Sequence, residues 1–290
     1  MPSYVITGAS RGIGVSKSGS RHLSTTDRHQ WGFVQHLSED PSNTVIGLVR
    51  NAPPTIERVK NELPDRKNIH ILQADLNDDA AIRKAATDTA SITGGSLDYL
   101  IGNAAYLALY DQFDSPGELL AKSSHEVFTK EFHNFMDTNV LAQIFLYEAF
   151  LPFILKGKAK KVLSISSGMG DLEINREYDF DHAIFYSSSK AALNMVNVKF
   201  GAQYKKDGVL FLSMCPGMVD TGSFSKLSPT QGAKLQEVTA KFQQYSPSFT
   251  GPYEPVEAVK KMTSTLDKLS IENGDQGKYL SHLGTKRWLP

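Results

Sequence analysis

The chain of 290 residues holds a single cysteine, Cys215. One thiol excludes an internal disulfide framework and any zinc site built from several cysteines, and it fits a reducing compartment. There is no surplus of charge either, since 31 Lys plus Arg balance 31 Asp plus Glu. Nucleic-acid binders carry a basic excess, so none is expected as a partner. No apolar run approaches the roughly 20 residues of a membrane span. The chain enters the apolar Tyr4-Val5-Ile6 without a basic stretch and cleavable apolar stretch before it. A cytoplasmic protein with a small-molecule partner, away from membranes, is the expectation. His125, His133 and His182 show no metal-ligand spacing, and no metal is expected.

The hydrophobic content of 40% is enough for a sizeable core. Its distribution alternates strand, turn and helix. Buried-strand patterns lie at Tyr4–Ile6, Thr44–Val49, Ile69–Ala74, Leu97–Gly102, Lys161–Ser166, Gly208–Met214 and Lys278–Ser281. Helical patterns fill residues 55–63, 78–92, 118–155, 184–206 and 255–270. Strands alternating with helices imply a parallel sheet covered on both faces. The expectation is one doubly wound Rossmann-type α/β domain over residues 1–290, with about seven parallel strands.

Residues 15–30, VSKSGSRHLSTTDRHQ, break that pattern. They follow Ile13-Gly14, where the first crossover helix should begin, and only Val15 and Leu23 among them are aliphatic. With the segment removed, Ile13, Phe33, Val34 and Leu37 fall at i, i+4, i+5 and i+8, one helix face. Val-Ser-Lys can be encoded as GTAAGTAAG and the closing Gln as CAG, the two ends of an intron that retention would keep in frame. A translated intron and a true surface insertion are the two alternatives. Either way an anomalous insertion is expected, a poorly packed mobile loop with the helix resuming near Trp31.

Three constellations carry chemistry. Thr7-Gly8-Ala9-Ser10-Arg11-Gly12-Ile13-Gly14 follows the first strand. Glycines there let the backbone approach a pyrophosphate at a helix N-terminus; the bland alternative is an ordinary tight turn. The second strand ends in Val49-Arg50-Asn51, without the carboxylate that binds a ribose 2′-hydroxyl. Arg50 and Arg11 would suit a 2′-phosphate instead, favouring NADPH over NADH, unless both are solvated surface charges. Tyr186-Ser-Ser-Ser-Lys190 sets a phenol and an ammonium at i and i+4 on one helix face. The ammonium is expected to draw the phenol pKa from about 10 toward neutrality and make Tyr186 a general acid for a carbonyl oxygen. Ile165-Ser166-Ser167 closes the fifth strand, where α/β sheets place their sites.

Together and in this order the residues resemble the short-chain dehydrogenase/reductase family. The resemblance takes in the glycine turn, Asp75-Leu76, Asn103-Ala104-Ala105, Thr138-Asn139-Val140, Ser167, Tyr186, Lys190 and Pro216-Gly217-Met218-Val219-Asp220-Thr221. It covers nearly the whole chain apart from residues 15–30. Asn103-Ala104-Ala105 departs from the family's Asn-Ala-Gly. The interval from Ser167 to Tyr186 is lengthened by the acidic Asp171–Asp181 segment. The closing Gly-Lys-Tyr-Leu-Ser-His-Leu-Gly-Thr and Trp288 resemble the carbonyl-reductase branch.

The resemblance implies roles. Tyr186 donates the proton. Lys190 lowers its pKa and binds the nicotinamide ribose. Ser167, with Ser166 as the alternative, positions the carbonyl, and Asn139 holds a water leading from Lys190 to solvent. Asp75 bonds the adenine amino group, with Leu76, Asn103 and Ala104 on the adenine-ribose side. Pro216, Gly217, Val219 and Thr221 line the nicotinamide side, and Thr7, Gly8, Ser10, Arg11, Gly12, Ile13 and Gly14 cradle the phosphates.

The function so implied is NADPH-dependent reduction of a ketone or aldehyde to an alcohol; a homodimer or homotetramer is compatible with it. Residues 221–251 read as a substrate lid. The apolar Leu235, Val238, Ala240 and Phe242 in that stretch suggest an apolar carbonyl, such as an aromatic or polyketide-like secondary metabolite. The alternative, favoured by the broken first helix, is a dinucleotide-binding protein without catalysis. Cys215, just before Pro216, reads as a small packed residue.

Overall fold

The computed structural model describes residues 1–9, 28–220 and 227–290; for 28–30 it describes the backbone alone. Ser10, Arg11, Gly12, Ile13, Gly14, Thr221 and residues 15–27 of the anomalous segment lie outside the described residues.

Seven strands form one parallel sheet: β1 (Ser3–Thr7), β2 (Thr44–Val49), β3 (Ile69–Gln73), β4 (Tyr99–Gly102), β5 (Lys161–Ile165), β6 (Leu210–Cys215) and β7 (Tyr279–Ser281). Their order is β3-β2-β1-β4-β5-β6-β7. The chain winds outward from β1 to β3, then returns past β1 to β4 and winds the other way. The carboxyl ends of β1 and β4 therefore flank the point where the order reverses, and a crevice opens there. The expected doubly wound Rossmann-type sheet is the observed one.

Alternation along each strand sends neighbouring side chains to opposite faces. Val5, Ile46, Leu100, Val162 and Phe211 enter one core layer. It is completed by α3 (Asp79–Thr93) and α6 (Ala142–Ile154), with α8 (Ile184–Tyr204) packed on it. Ile6, Val45, Ile101, Leu163, Leu210, Leu212 and Met214 face the other layer, under α1 (Arg28–Leu37) and α10 (Pro255–Lys268). A smaller cluster holds α2 (Ala52–Glu62) against Trp31, Val34 and Val49.

The face predicted for α1 is buried: Phe33 and Val34 are fully inaccessible and Leu37 nearly so. The helix starts three residues earlier than expected, at Arg28. Arg28-His29-Gln30 contains no proline, glycine or β-branched residue to stop it. The fourth strand is shorter than expected. Asp98 is drawn out of it, accepting from the Ser3, Lys158 and Ala159 N–H groups.

The single helix expected over 118–155 is divided. A short α4 (Pro116–Lys122) is opened by a Ser115/Glu118 capping box. Ser124 then caps α5 (His125–Met136) by accepting from the Val127 N–H. Two serines in a row, Ser123 and Ser124, supply the break, since they favour caps over helix interiors. A π turn over Asp137–Leu141 follows, before α6. The acidic Asp171–Asp181 segment holds a short helix, α7 (Leu172–Glu177), capped by Asp171. The stretch 221–251 holds α9 (Pro229–Tyr245), opened by a Ser228/Gln231 capping box.

Candidate active site

Because all seven strands run the same way, the residues after their carboxyl ends share one edge of the sheet. Gly8 follows β1, Arg50 β2, Asp75 β3, Asn103 β4, Ser166 and Ser167 β5, and Pro216 and Gly217 β6. The fold thus gathers on that edge every predicted site residue among those described except Tyr186, Lys190 and Asn139. Helix α8 and the π turn bring these three.

Lys190 lies one turn after Tyr186 on α8, and its Nζ stands 5.7 Å from the Tyr186 ring centroid. Lys190 is 98% buried, and its ammonium donates to the Ile165 carbonyl at the end of β5 at 2.8 Å. Burial lowers its pKa to about 8. The Ser167 side chain favours the ionised form of the Tyr186 phenol. Ser166, the alternative, is buried. The Ser167 effect opposes, without cancelling, that of burial, which pushes the Tyr186 phenol up to about 12. The direction is opposite to the shift toward neutrality expected from spacing. Desolvation penalises the tyrosinate, and the ammonium meant to stabilise it is engaged by Ile165.

Asn139 is fully buried in the π turn. Its amide donates to the Tyr106 carbonyl at 3.0 Å and to Ser189 Oγ at 2.9 Å, while its Oδ1 accepts from the Tyr106 N–H. Ser189 is the residue before Lys190 and in turn donates to the Tyr186 carbonyl at 2.8 Å. Asn139 therefore ties the loop after β4 to the turn of α8 between Tyr186 and Lys190. A π turn widens the helix locally, and such turns cluster at functional positions.

On the other side of the crevice, Thr7 is buried and its hydroxyl accepts from the N–H groups of Asn103 and Ala104 at 3.0 and 2.9 Å. Asn103 returns a bond to the Thr7 carbonyl at 3.0 Å. These residues lock β1 to β4 and shape the crevice floor. Leu76 is buried in the core, whereas Asp75 and Arg50 are exposed at the strand ends.

A dinucleotide fits this edge. Gly8 (φ 72°) and Gly217 (φ 80°) adopt the left-handed conformation that favours glycine, so bare backbone follows β1 and β6. A Cβ on Gly47 of β2 would lie 2.7 Å from Ala9 Cβ, so only glycine lets the first turn settle onto the neighbouring strand. Val219 forms a parallel bridge with Tyr253, which fixes the segment after Pro216 and Gly217.

Sequence reasoning passed over three neighbours of this site. Asp111 accepts from the Phe185 and Tyr186 N–H groups; it lies in a loop with no periodic signal. Tyr279 donates to the Ser167 carbonyl. Cys215, read as a packed residue, is buried, and its Sγ accepts from the Gly168 N–H at 3.1 Å. Burial pushes its thiol up to about 11.

Two aromatic clusters lie near the site, one holding the Tyr186 ring and one holding Cys215. Tyr106, Tyr110, Phe128, Phe135 and Phe185 gather around Leu119 with the Tyr186 ring. Phe180, Tyr178, Tyr245, Trp288 and Phe242 of α9 gather beside Cys215. Helix α9 is held at both sides. Lys234 pairs with Asp114 at 2.7 Å and Glu118 at 2.8 Å, and Lys241 donates to the Asp179 carbonyl. Among the described residues no helix is long and apolar enough to cross a membrane.

The family model for short chain dehydrogenase matches residues 32–232. The chain is 46% identical over 289 residues to the Short chain dehydrogenase virK of Hypocrea virens, covering 100% of both chains. It is 41% identical over 292 residues to the Short-chain dehydrogenase/reductase iacC of Pestalotiopsis fici, again covering 100% of both. The structure of an NADPH-bound carbonyl reductase from chicken fatty liver matches with a TM-score of 0.69 and 25% identity, over 98% of this chain and 97% of that one. The carbonyl reductase Sniffer of D. melanogaster shares the fold, with a TM-score of 0.70 at 20% identity over 98% of each chain. The parallel sheet, the Ser167–Tyr186–Lys190 grouping at its edge and these likenesses agree: the chain belongs to the short-chain dehydrogenase family of oxidoreductases.

Proposed function

We propose that the chain is an NADPH-dependent reductase that converts an apolar or aromatic ketone or aldehyde to its alcohol. The observation that carries this is Tyr186 one helical turn before a buried lysine whose Nζ stands 5.7 Å from its ring, at the strand end that holds Ser167. The cofactor, when bound, supplies the hydride for the carbonyl carbon. Tyr186 delivers the proton to the carbonyl oxygen, Ser167 orients that oxygen, and the Lys190 ammonium stabilises the tyrosinate left behind until solvent reprotonates it. A phenol kept protonated by burial is in the right state to begin reduction. Asn139 and Ser189 hold the α8 turn on which the relay depends.

Gly8, Asn103, Asp75 and Gly217 would hold the dinucleotide, with the residues of the glycine turn and Thr221 that lie outside the described set. NADPH is preferred because β2 ends in exposed Arg50 with no carboxylate in its place. The NADPH-bound carbonyl reductase among the structural neighbours lends support. Substrate class rests on the aromatic clusters that hold Tyr186 and Cys215, with α9 as the covering lid. The test is product analysis from a panel of ketones and aldehydes with NADPH, beside a fluorescence titration of the cofactor. Reduction of apolar carbonyls in preference to small polar sugars supports the proposal. Equal turnover of both refutes the apolar pocket. Cofactor binding without turnover across the panel favours a non-catalytic binder.

A further inference from the structure

Helix α8 begins without a cap of its own. The residue before it, Ala183, is in the left-handed region (φ 56°) and has no side-chain acceptor for the first N–H groups of the helix. Those groups are supplied from far away in sequence. Asp111, in the loop between β4 and α4, accepts from the Phe185 N–H at 2.9 Å and the Tyr186 N–H at 3.1 Å through one carboxylate oxygen. Its own backbone carbonyl accepts from the Ala183 N–H at 2.9 Å. Asp111 is fully buried, and its other oxygen takes no hydrogen bond from another described residue.

A buried carboxylate with one oxygen left without a partner is an expensive way to cap a helix, since an exposed Ser or Asp at the preceding position does so at little cost. The cost falls where the geometry matters most, because one of the two N–H groups belongs to Tyr186 itself. Burial pushes the Asp111 carboxyl up to about 6, while the Phe185 and Tyr186 N–H groups act the other way. The charge also faces the positive end of α8, where an anion is stabilised.

We propose that Asp111 is a positioning residue for the proton donor: by gripping the first turn of α8 it fixes the Tyr186 hydroxyl relative to Ser167 and the substrate carbonyl. This rests on the reductase reading of the same site. A hydroxyl displaced by about 1 Å loses on the order of 10²-fold in rate, so the effect should appear in kcat and leave cofactor affinity alone.

The experiment compares the full-length chain with Asp111→Ala and Asp111→Asn. Asn keeps an oxygen that can accept both N–H groups, removes the charge and puts an NH2 where the unpartnered oxygen stood. Two readouts are taken: steady-state kcat and KM with NADPH and the best carbonyl of the panel, and amide hydrogen exchange at Phe185 and Tyr186. Asp111→Ala should lower kcat by about 10- to 100-fold and speed exchange at both amides, with NADPH Kd within about twofold. Asp111→Asn should restore both to near the wild-type values. A residue of merely structural weight would lower Tm and cofactor affinity together, and Asn would not rescue kcat selectively. Wild-type kcat and exchange in Asp111→Ala would overturn the proposal. So would a loss of more than about tenfold in folded Asp111→Asn, which would make the charge rather than the grip essential; this second criterion decides the matter if Asp111→Ala does not fold. If the wild-type chain reduces no carbonyl, the reductase reading fails, and the exchange comparison still decides whether Asp111 holds the turn.

Discussion

The two sides of the crevice are built differently. On the reaction side, Lys190, Asn139 and Ser167 are each engaged by other groups of the protein: the Ile165 carbonyl, Tyr106 with Ser189, and the Met169 N–H. On the nucleotide side, Arg50 and Asp75 stand exposed at strand ends, while among the described residues Thr7, Asn103 and Ala104 of the floor are locked. A preorganised, partly dry group acts on charge that develops in the transition state, whereas an exposed arginine acts on what binds. Substitutions on the first side should therefore appear in kcat, and those on the second in the choice and affinity of cofactor.

The largest effect should come from Tyr186→Phe, which removes the proton and keeps the ring. General-acid catalysis is worth about 10²–10⁴ in rate, and kcat should fall by that much with NADPH affinity nearly unchanged in a fluorescence titration. A variant keeping more than half the wild-type kcat would erase the distinction between the two sides.

Next in size is a pH effect on the reaction side. Burial has lowered the Lys190 pKa to about 8, so the ammonium is charged below that pH and neutral above it. Tyr186, pushed up to about 12, stays protonated throughout. The log of kcat/KM for reduction should hold level at low pH and decline above about 8. In Lys190→Met the level should be low and that decline absent. A wild-type profile flat from pH 6 to 10 would show that the lysine charge is not used.

Arg50→Asp sharpens the comparison from the nucleotide side. It puts a ribose acceptor at the end of β2 and repels a 2′-phosphate. The ratio of kcat/KM for NADPH over NADH should invert, on the order of tenfold or more, with the change lying in KM and kcat close to wild type. An unchanged ratio would mean that Arg50 does not reach the ribose.

The sheet was legible because buried parallel strands read as short apolar, β-branched runs closed by turn residues, and a strand such as Thr44–Val49 needs nothing else to declare itself. The site was legible where chemistry demands fixed spacing, as in Tyr186 and Lys190. What stayed hidden depended on contacts between segments remote in sequence. Asp111 reaches Tyr186 across 75 positions, and nothing in its own loop announces a cap. The π turn at Asn139 has the same local pattern as the helix around it. The direction of the Tyr186 pKa could not be read from an i, i+4 spacing, because spacing says nothing of how deeply the pair is buried or that Ile165 engages the ammonium first.

The smallest effect concerns the first crossover, where residues 15–27 lie outside the described set while α1 from Trp31 onward is core. Trp31, Phe33 and Val34 are almost wholly inaccessible, and Arg58 stacks over the Trp31 ring at 4.4 Å. The helix face that these residues continue is completed in sequence by Ile13, directly after the glycine turn. Joining Gly14 to Trp31 would bring the turn and the helix into the arrangement that places a pyrophosphate at a helix N-terminus. Loop closure over sixteen residues is entropically mild, so the gain in stability from removing them is small: Tm should rise by about 2–4 °C for each kcal/mol recovered. NADPH should bind more tightly to the shortened chain, with kcat unchanged, since the reaction side is untouched. Differential scanning calorimetry and a cofactor titration on the chain lacking residues 15–30 measure both. A fall in Tm together with weaker NADPH binding would make the segment a structural element of the nucleotide side, and the translated-intron explanation would be wrong.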